Sequence, residues 1–404
     1  MTKLRKNIFL LTCVAYIFYV TNCFVGMVLP ANSPYIPLLV LLSCGCCYPM
    51  TLIKDKTFLF SLLYALALTF WSLIFHSISG FGYGEGGLDT VMVEVAFLLP
   101  SISISTILFK EMSEKDIKKV AKWSLASLIL SFCFVLPLII MDNSIVRTVT
   151  DADMHDGERM IPGFWNYNMM HMVALLFPVF SALAAFVKSW RRLFYIFLIL
   201  AVVAIVVQAS ITTTFVYMLM ALVIVLNFFL YRKRYFIFFV ILELLMVVTA
   251  FVFLPTIIEG LLSYYDGTDM YEKIYEFKRI LMGAEEDSAS VSGRLAFQKQ
   301  AIDAFMTSPF IGQSFEGGGH SIIYNRLASL GVIGFIPFLL MLIHLVRNTS
   351  RHIAPAVQKY YWIFFGGVMV LMLMKNTFGC EGWLMLSVIG PVLFNLVNPP
   401  RNVR

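Results

Sequence analysis

Of the chain's 404 residues, 60% are hydrophobic and only 13% charged, about half the charged share of a soluble domain, and mean hydropathy is +0.84. That excludes a water-soluble globular fold. The net charge of +6 is a matter of how cations divide between two sides of a membrane, and it implies no nucleic-acid partner.

Lys3, Arg5 and Lys6 precede an apolar run over 7–29. It is too long for a cleaved leader and has no small-residue cleavage site after it, so it reads as a retained first helix. Further runs long enough to span a bilayer follow at 36–53, 57–76, 88–109, 121–141, 166–187, 193–209, 212–231, 236–256, 320–346, 360–378 and 381–398. The expectation is an all-α, polytopic bundle of about twelve helices in a single membrane domain, 1–404. Placing the amino terminus in the cytoplasm puts 21 of the 30 Lys and Arg on that side, among them Lys54, Lys110, Lys118, Arg232, Arg347 and Arg351. This is the positive-inside pattern, and it predicts that both termini are cytoplasmic. Cys44-Gly45-Cys46-Cys47 has neither histidine neighbours nor a second pair, and reads as small packing residues rather than a metal site.

The outward segments 77–87, 142–165 and 257–319 exceed the short connections expected of antiparallel neighbours, and the last is much the longest. Within it, 259–277 mixes apolar and charged residues as an interfacial amphipathic helix would. Gly293–Met306 places Leu295, Ile302 and Phe305 on one helical face, with Ser292 as a plausible N-cap and Arg294 in the first turn, where free N–H groups and a cation can face a common anion. Ser308-Pro309-Phe310-Ile311-Gly312 is a break and turn. Gly317-Gly318-Gly319 permits close backbone approach and leads to His320, Ser321, Tyr324, Asn325 and Arg326, a polar opening for a membrane span. Taken singly, an outer-loop arginine is ordinarily solvated, a histidine at a helix mouth ordinarily interfacial and a glycine run ordinarily a turn. Their concentration in the longest loop is what points to a site.

The order Ser292-Gly293-Arg294, Ala301–Phe305, Pro309-x-x-Gly312 and His320-Ser321, leading to Leu330-Gly331-Val332-Ile333-Gly334, resembles the O-antigen polymerase and O-antigen ligase superfamily. Gly163-Phe164-Trp165-Asn166-Tyr167-Asn168 is a weaker likeness. The resemblance covers the whole chain in topology and roughly fifty residues in motif. It departs at Gln208–Thr214, which carries no cation where family members often have Ser-Arg. It implies a GT-C-like bundle in the bacterial cytoplasmic membrane, with a long extracytoplasmic loop between the ninth and tenth helices. The implied substrate is an undecaprenyl-pyrophosphate-linked oligosaccharide, and the implied reaction is polymerisation of repeat units into O-antigen, capsule or exopolysaccharide. A ligase acting on lipid A core is the alternative, and a polysaccharide flippase the non-enzyme alternative. A chain-length regulator and a flippase are the implied protein partners.

On this reading the pyrophosphate needs cations as its bond to the anomeric carbon breaks. Arg294 leads, with Arg326, Arg279 and Arg159 as further outward cations and Asn325 and Tyr324 as substrate-binding neighbours. His320 is the candidate to accept the proton of the attacking hydroxyl. Asp151-Ala152-Asp153, followed by His155 and Asp156, and Asp266-Gly267-Thr268-Asp269 read as turns, so no metal or cofactor is expected. A transporter would show an internal repeat or charges in paired spans; no repeat is evident, and the spans hold few charges, chiefly Glu94, Glu243, Arg326 and Lys375. The topology is checked by labelling intact cells with an impermeant thiol reagent. Ser290→Cys is expected to react and Lys118→Cys to stay unlabelled; a labelled Lys118→Cys would invert the arrangement.

Overall fold

The computed structural model describes residues 3–22, 35–75, 87–141, 174–187, 291–313, 321–374 and 380–397, with scattered residues between 191 and 278. All regular structure among them is helical: α1 (Lys3–Thr21), α2 (Tyr35–Cys47), α3 (Pro49–Ile53), α4 (Lys56–Phe75), α5 (Gly87–Glu111), α6 (Glu114–Met141), α7 (Phe177–Phe186), α8 (Val291–Thr307), α9 (Ile322–Ser350) and α10 (Pro355–Met374). The chain then forms α11 (Cys380–Leu384), a π-helical turn (Met385–Ile389) and α12 (Gly390–Phe394). Five of the helices, α1, α4, α6, α9 and α10, are long and apolar enough to cross a membrane. The expected spans 193–209, 212–231 and 236–256 lie outside the described residues.

Among the described residues the helices pack in a series: α9 on α4, α4 on α5, α5 on α2, α2 on α1 and α1 on α6, with α10 joining α9 to α7. The carboxy-terminal segment fills the middle, touching α1, α5, α6, α7 and α10, and every residue from Gly382 to Asn395 is buried. In its π turn the Gly390 N–H reaches back five residues to the Met385 carbonyl.

The run 36–53 is interrupted at Tyr48-Pro49, where Pro49 opens α3 instead of continuing α2. Outward-facing Leu39, Leu42, Leu66, Phe70, Leu73, Ile333 and Leu339 are exposed, as a bundle solvated by lipid requires. Cys13, Cys44 and Cys47 are buried free thiols, which agrees with a packing role, whereas Cys46 of the same cluster is exposed. Helix contacts are closed by short hydroxyl side chains. The Thr21 and Ser127 hydroxyls share a hydrogen bond of 2.6 Å between α1 and α6. Such interhelical bonds contribute about 0.6 kcal/mol each in a bilayer.

At the end of the bundle marked by Lys54 and Lys110, Asp55 is a buried polar node. Its carboxylate caps α4 by accepting from the Phe58 N–H at 3.0 Å, pairs with Lys110 Nζ of α5 at 2.6 Å and accepts from Thr106 at 3.3 Å. Asn348 of α9 donates to the neighbouring Thr57 hydroxyl at 2.8 Å. One carboxylate thereby holds the same ends of α4, α5 and α9.

α9 is not continuous. Gly331 has φ +58 and ψ −171, and the chain resumes its helix beyond it. The break strands the N–H groups of Val332 and Ile333, and the turn after α8 accepts them. Val332 N donates to the Pro309 carbonyl at 2.8 Å and Ile333 N to the Phe310 carbonyl at 3.1 Å, while Gln313 N donates to the Ala328 carbonyl at 3.2 Å. Two glycines at positive φ, Gly312 (+74) and Gly331 (+58), let these backbones meet. A Cβ on Gly312 would lie 2.2 Å from the Ser329 oxygen, and one on Gly331 2.5 Å from the Gly312 nitrogen.

Gly331→Ala and Gly312→Ala are each expected to lower the thermal midpoint of the detergent-solubilised protein, at a cost of at least ~1 kcal/mol from the left-handed backbone alone. Gly366→Ala, where a Cβ would meet nothing within 4 Å, should not lower it. Equal midpoints for all three variants would show that the junction tolerates a side chain.

Candidate functional site

The junction of α8 with α9 places the residues singled out in the sequence. α8 begins at Val291, so Arg294 is its fourth residue and stands in the first turn. Farther along, Ala301 and Ala304 pack on Ala328 of α9, with Tyr324 half-buried against them. Alanines allow the two backbones to approach closely. The α8 carboxy terminus leads directly into the turn bonded at Ala328–Ile333, one turn beyond the Tyr324 contact. The two helices thus run side by side in the same direction, and the Arg294 turn lies toward the end at which α9 begins.

α9 starts after its N-cap, Ser321. The Ser321 hydroxyl accepts from Tyr324 N at 3.3 Å and donates to the Met372 carbonyl of α10, also at 3.3 Å. A serine before an apolar helix is a readable N-cap signal, yet the sequence reading started the span one residue before it, at 320. His320 itself, Arg279 and Arg159 lie outside the described residues, as do Gly317-Gly318-Gly319, Asp151-Ala152-Asp153 and Gln208–Thr214.

Arg326 is placed very differently from an outward cation. It is 1% exposed, inside the bundle. Its Nη2 pairs with Glu94 Oε2 of α5 and its Nε donates to the Tyr64 hydroxyl of α4 at 2.8 Å. That hydroxyl donates in turn to Glu94 Oε1 at 2.9 Å. The three side chains close a ring in which each oxygen and nitrogen named serves another member. Tyr64 sits eight residues into α4, roughly 12 Å along it, so the ring lies near mid-helix and distant from the Asp55 node. Asn325, beside it, is also buried.

Of the residues proposed from sequence, the fold brings Arg294, Tyr324 and Asn325 to the α8–α9 pair and turns Arg326 inward to Glu94. Glu94 and Tyr64 were not read as a unit with Arg326. A lone carboxylate and a lone cation in two apolar spans was the available signal, because such charges pair inside membranes.

The described part of the long loop refines another expectation. A single amphipathic helix over 259–277 gives way to helical segments folded back about Asp266-Gly267, where Gly267 has φ +75. Ile258, Leu262 and Ile274 pack together across this turn, with Tyr271 against them. Lys278 Nζ pairs with Glu259 at 2.8 Å and holds that carboxyl below its usual range. Among the described residues, no group of three or more His, Cys, Asp or Glu is gathered as a metal site would need.

Compared with protein-family models and with curated proteins, the chain matches none.

Removing one member of the Arg326–Glu94 pair leaves a charge stranded, which costs about 3–5 kcal/mol for a buried pair. Arg326→Met and Glu94→Gln are each expected to lower the thermal midpoint strongly, and the double variant to recover part of the loss. If the two losses simply add, the residues are not coupled as the ring requires.

Proposed function

We propose that the protein is a metal-independent polysaccharide polymerase of the outer face of the bacterial cytoplasmic membrane, joining undecaprenyl-pyrophosphate-linked repeat units. One observation carries the reading most. Pro309-x-x-Gly312 and Gly331-Val332-Ile333-Gly334, two separate stretches of the resemblance, meet backbone to backbone. Their junction brings the helix of Arg294 alongside the helix that follows His320. A family signature whose parts are scattered in sequence is expected to converge in this way if it builds a site.

In the proposed reaction, the acceptor hydroxyl of one lipid-linked unit attacks the anomeric carbon of another. The new glycosidic C–O bond forms as the bond to pyrophosphate breaks, and undecaprenyl pyrophosphate leaves. The hydroxyl proton passes to His320, whose neutral imidazole is the available base near pH 7. Arg294 takes up charge on the departing pyrophosphate, where its planar fork engages two oxygens at once. Arg326 is already engaged by Glu94 and Tyr64, so it contributes to the site by fixing α9, with Arg279 and Arg159 as the further cations for the phosphate. Tyr324 and Asn325 flank the same opening turn.

Purified protein supplied with lipid-linked repeat units in detergent tests this. Arg294→Ala is expected to lose chain growth by at least ~100-fold, the scale of one lost transition-state donor, with the thermal midpoint unchanged. Arg294→Lys should lose most of it too, because an ammonium lacks the fork. His320→Ala should be inactive, His320→Gln should retain a fraction only if the imidazole orients the hydroxyl, and EDTA should have no effect. Normal polymer length in Arg294→Ala, or EDTA inhibition reversed by a divalent ion, would overturn the reading.

A further inference from the structure

A strip of large apolar side chains runs down α8 and into the turn that follows. Ile302 is 44% exposed, Met306 71%, Phe310 69% and Ile311 55%. Their spacing keeps Ile302 and Met306 on one helical edge, and Phe310 and Ile311 continue it. In water such a strip would be costly. Here it is continuous with two faces already turned to lipid. Pro309 and Phe310 are bonded to Val332 and Ile333 of α9, from which exposed Ile336, Leu339 and Ile343 lead onward along that helix. On the other side, the Trp71 indole of α4 donates to the Ile311 carbonyl, between exposed Phe70 and Leu73. Both α4 and α9 are among the helices built to cross a bilayer.

The backbone of the turn makes an independent argument. Irregular backbone survives at membrane depth only where its polar groups are taken up internally. The Ser308 carbonyl accepts from Gly312 N at 2.9 Å, that of Pro309 from Val332 N and that of Phe310 from Ile333 N, and that of Ile311 from the Trp71 indole. Four consecutive carbonyls are thus satisfied by protein, which a turn in water would not need. The turn also sits beside Gly331, nine residues after Ile322 and so about 14 Å along α9 from its start. The other exposed edge of α8 carries Gln300, Asp303 and Thr307.

We infer that α8 and the turn over 309–313 form a re-entrant limb dipping into the leaflet at the amino-terminal end of α9. Ile302, Met306, Phe310 and Ile311 lie against the acyl chains of bilayer phospholipid, while the edge of Gln300, Asp303 and Thr307 faces water. The segment expected from sequence to be part of an aqueous loop is in this respect a membrane element, and the assignment holds irrespective of the reaction the protein carries out.

The test uses the unmodified chain in liposomes of phosphatidylethanolamine and phosphatidylglycerol containing a phospholipid with a diazirine in its acyl chain. After irradiation and tryptic cleavage, the peptide over 300–326 is expected to carry lipid adducts at Met306, in a yield within a few-fold of the peptide over 327–347. An unmodified 300–326 peptide beside a modified 327–347 peptide would overturn the inference. Nitroxides at Met306→Cys and Gln300→Cys, in a background freed of the native cysteines, separate the alternatives. The label at 306 should collide freely with oxygen and poorly with a water-soluble nickel chelate, and the label at 300 the reverse. Nickel access at 306 would place the strip in water, and low access to both reagents would mean that protein, such as a second copy, covers it; either result refutes lipid contact.

Discussion

Inside a bilayer, a polar group that the protein leaves unpaired has no water to turn to, and the architecture is arranged around that constraint. The Gly331 break frees two N–H groups in the middle of a spanning helix, a defect that would cost several kcal/mol for each group in hydrocarbon. The turn after α8 removes the defect with its own carbonyls. The break and the turn are therefore one structural unit although Pro309 and Gly331 are 22 positions apart in the sequence. Neither would be tolerated without the other.

The same constraint explains the two polar nodes shared by α4, α5 and α9. Near mid-helix the Arg326 guanidinium meets Glu94 and Tyr64, and at one end Asp55 gathers Lys110 and Thr106 beside Asn348. Apolar packing alone discriminates weakly between helix registers in a medium as apolar as leucine. A charge pair with one satisfactory geometry does discriminate, because sliding either helix by a turn would strand an ion. The nodes thus fix how α9 sits, and with it the helix α8 that packs along its amino-terminal part.

The helices from Lys56, Gly87 and Pro355 were legible because runs of apolar residues leave lipid-spanning lengths little choice. The helix bearing Arg294 was legible as a helix from its periodicity, but it begins at Val291, so the expected N-cap Ser292 lies inside it, and it buries Ala301 and Ala304 while Ile302 of the expected face is exposed. What could not be read was partnership. Arg326 and Glu94 are 232 positions apart, and Arg326 near a polar helix mouth looks the same in sequence whether its side chain points outward or inward. The junction at Gly331 consists of backbone bonds, which have no side-chain signature beyond the glycines that make room for them. The interruption at Pro49 was visible as a proline, but its effect on 36–53 depends on whether the neighbouring helices hold the two pieces in line. The folding back at Gly267 likewise hinges on a backbone angle that a mixed polar and apolar stretch does not reveal.

The segment at the centre of the bundle, Gly382–Asn395, is synthesised after every helix it touches. During insertion, α1, α5, α6, α7 and α10 enter the membrane before the element that fills the space between them exists. Until it emerges, their inward faces must be covered by lipid, by one another in a looser arrangement or by the insertion machinery, and hydroxyls such as Ser101 and Ser103, which bond back to their own helices, make that wait less costly. Packing of this core is thereby a late step in the assembly of the helices it touches.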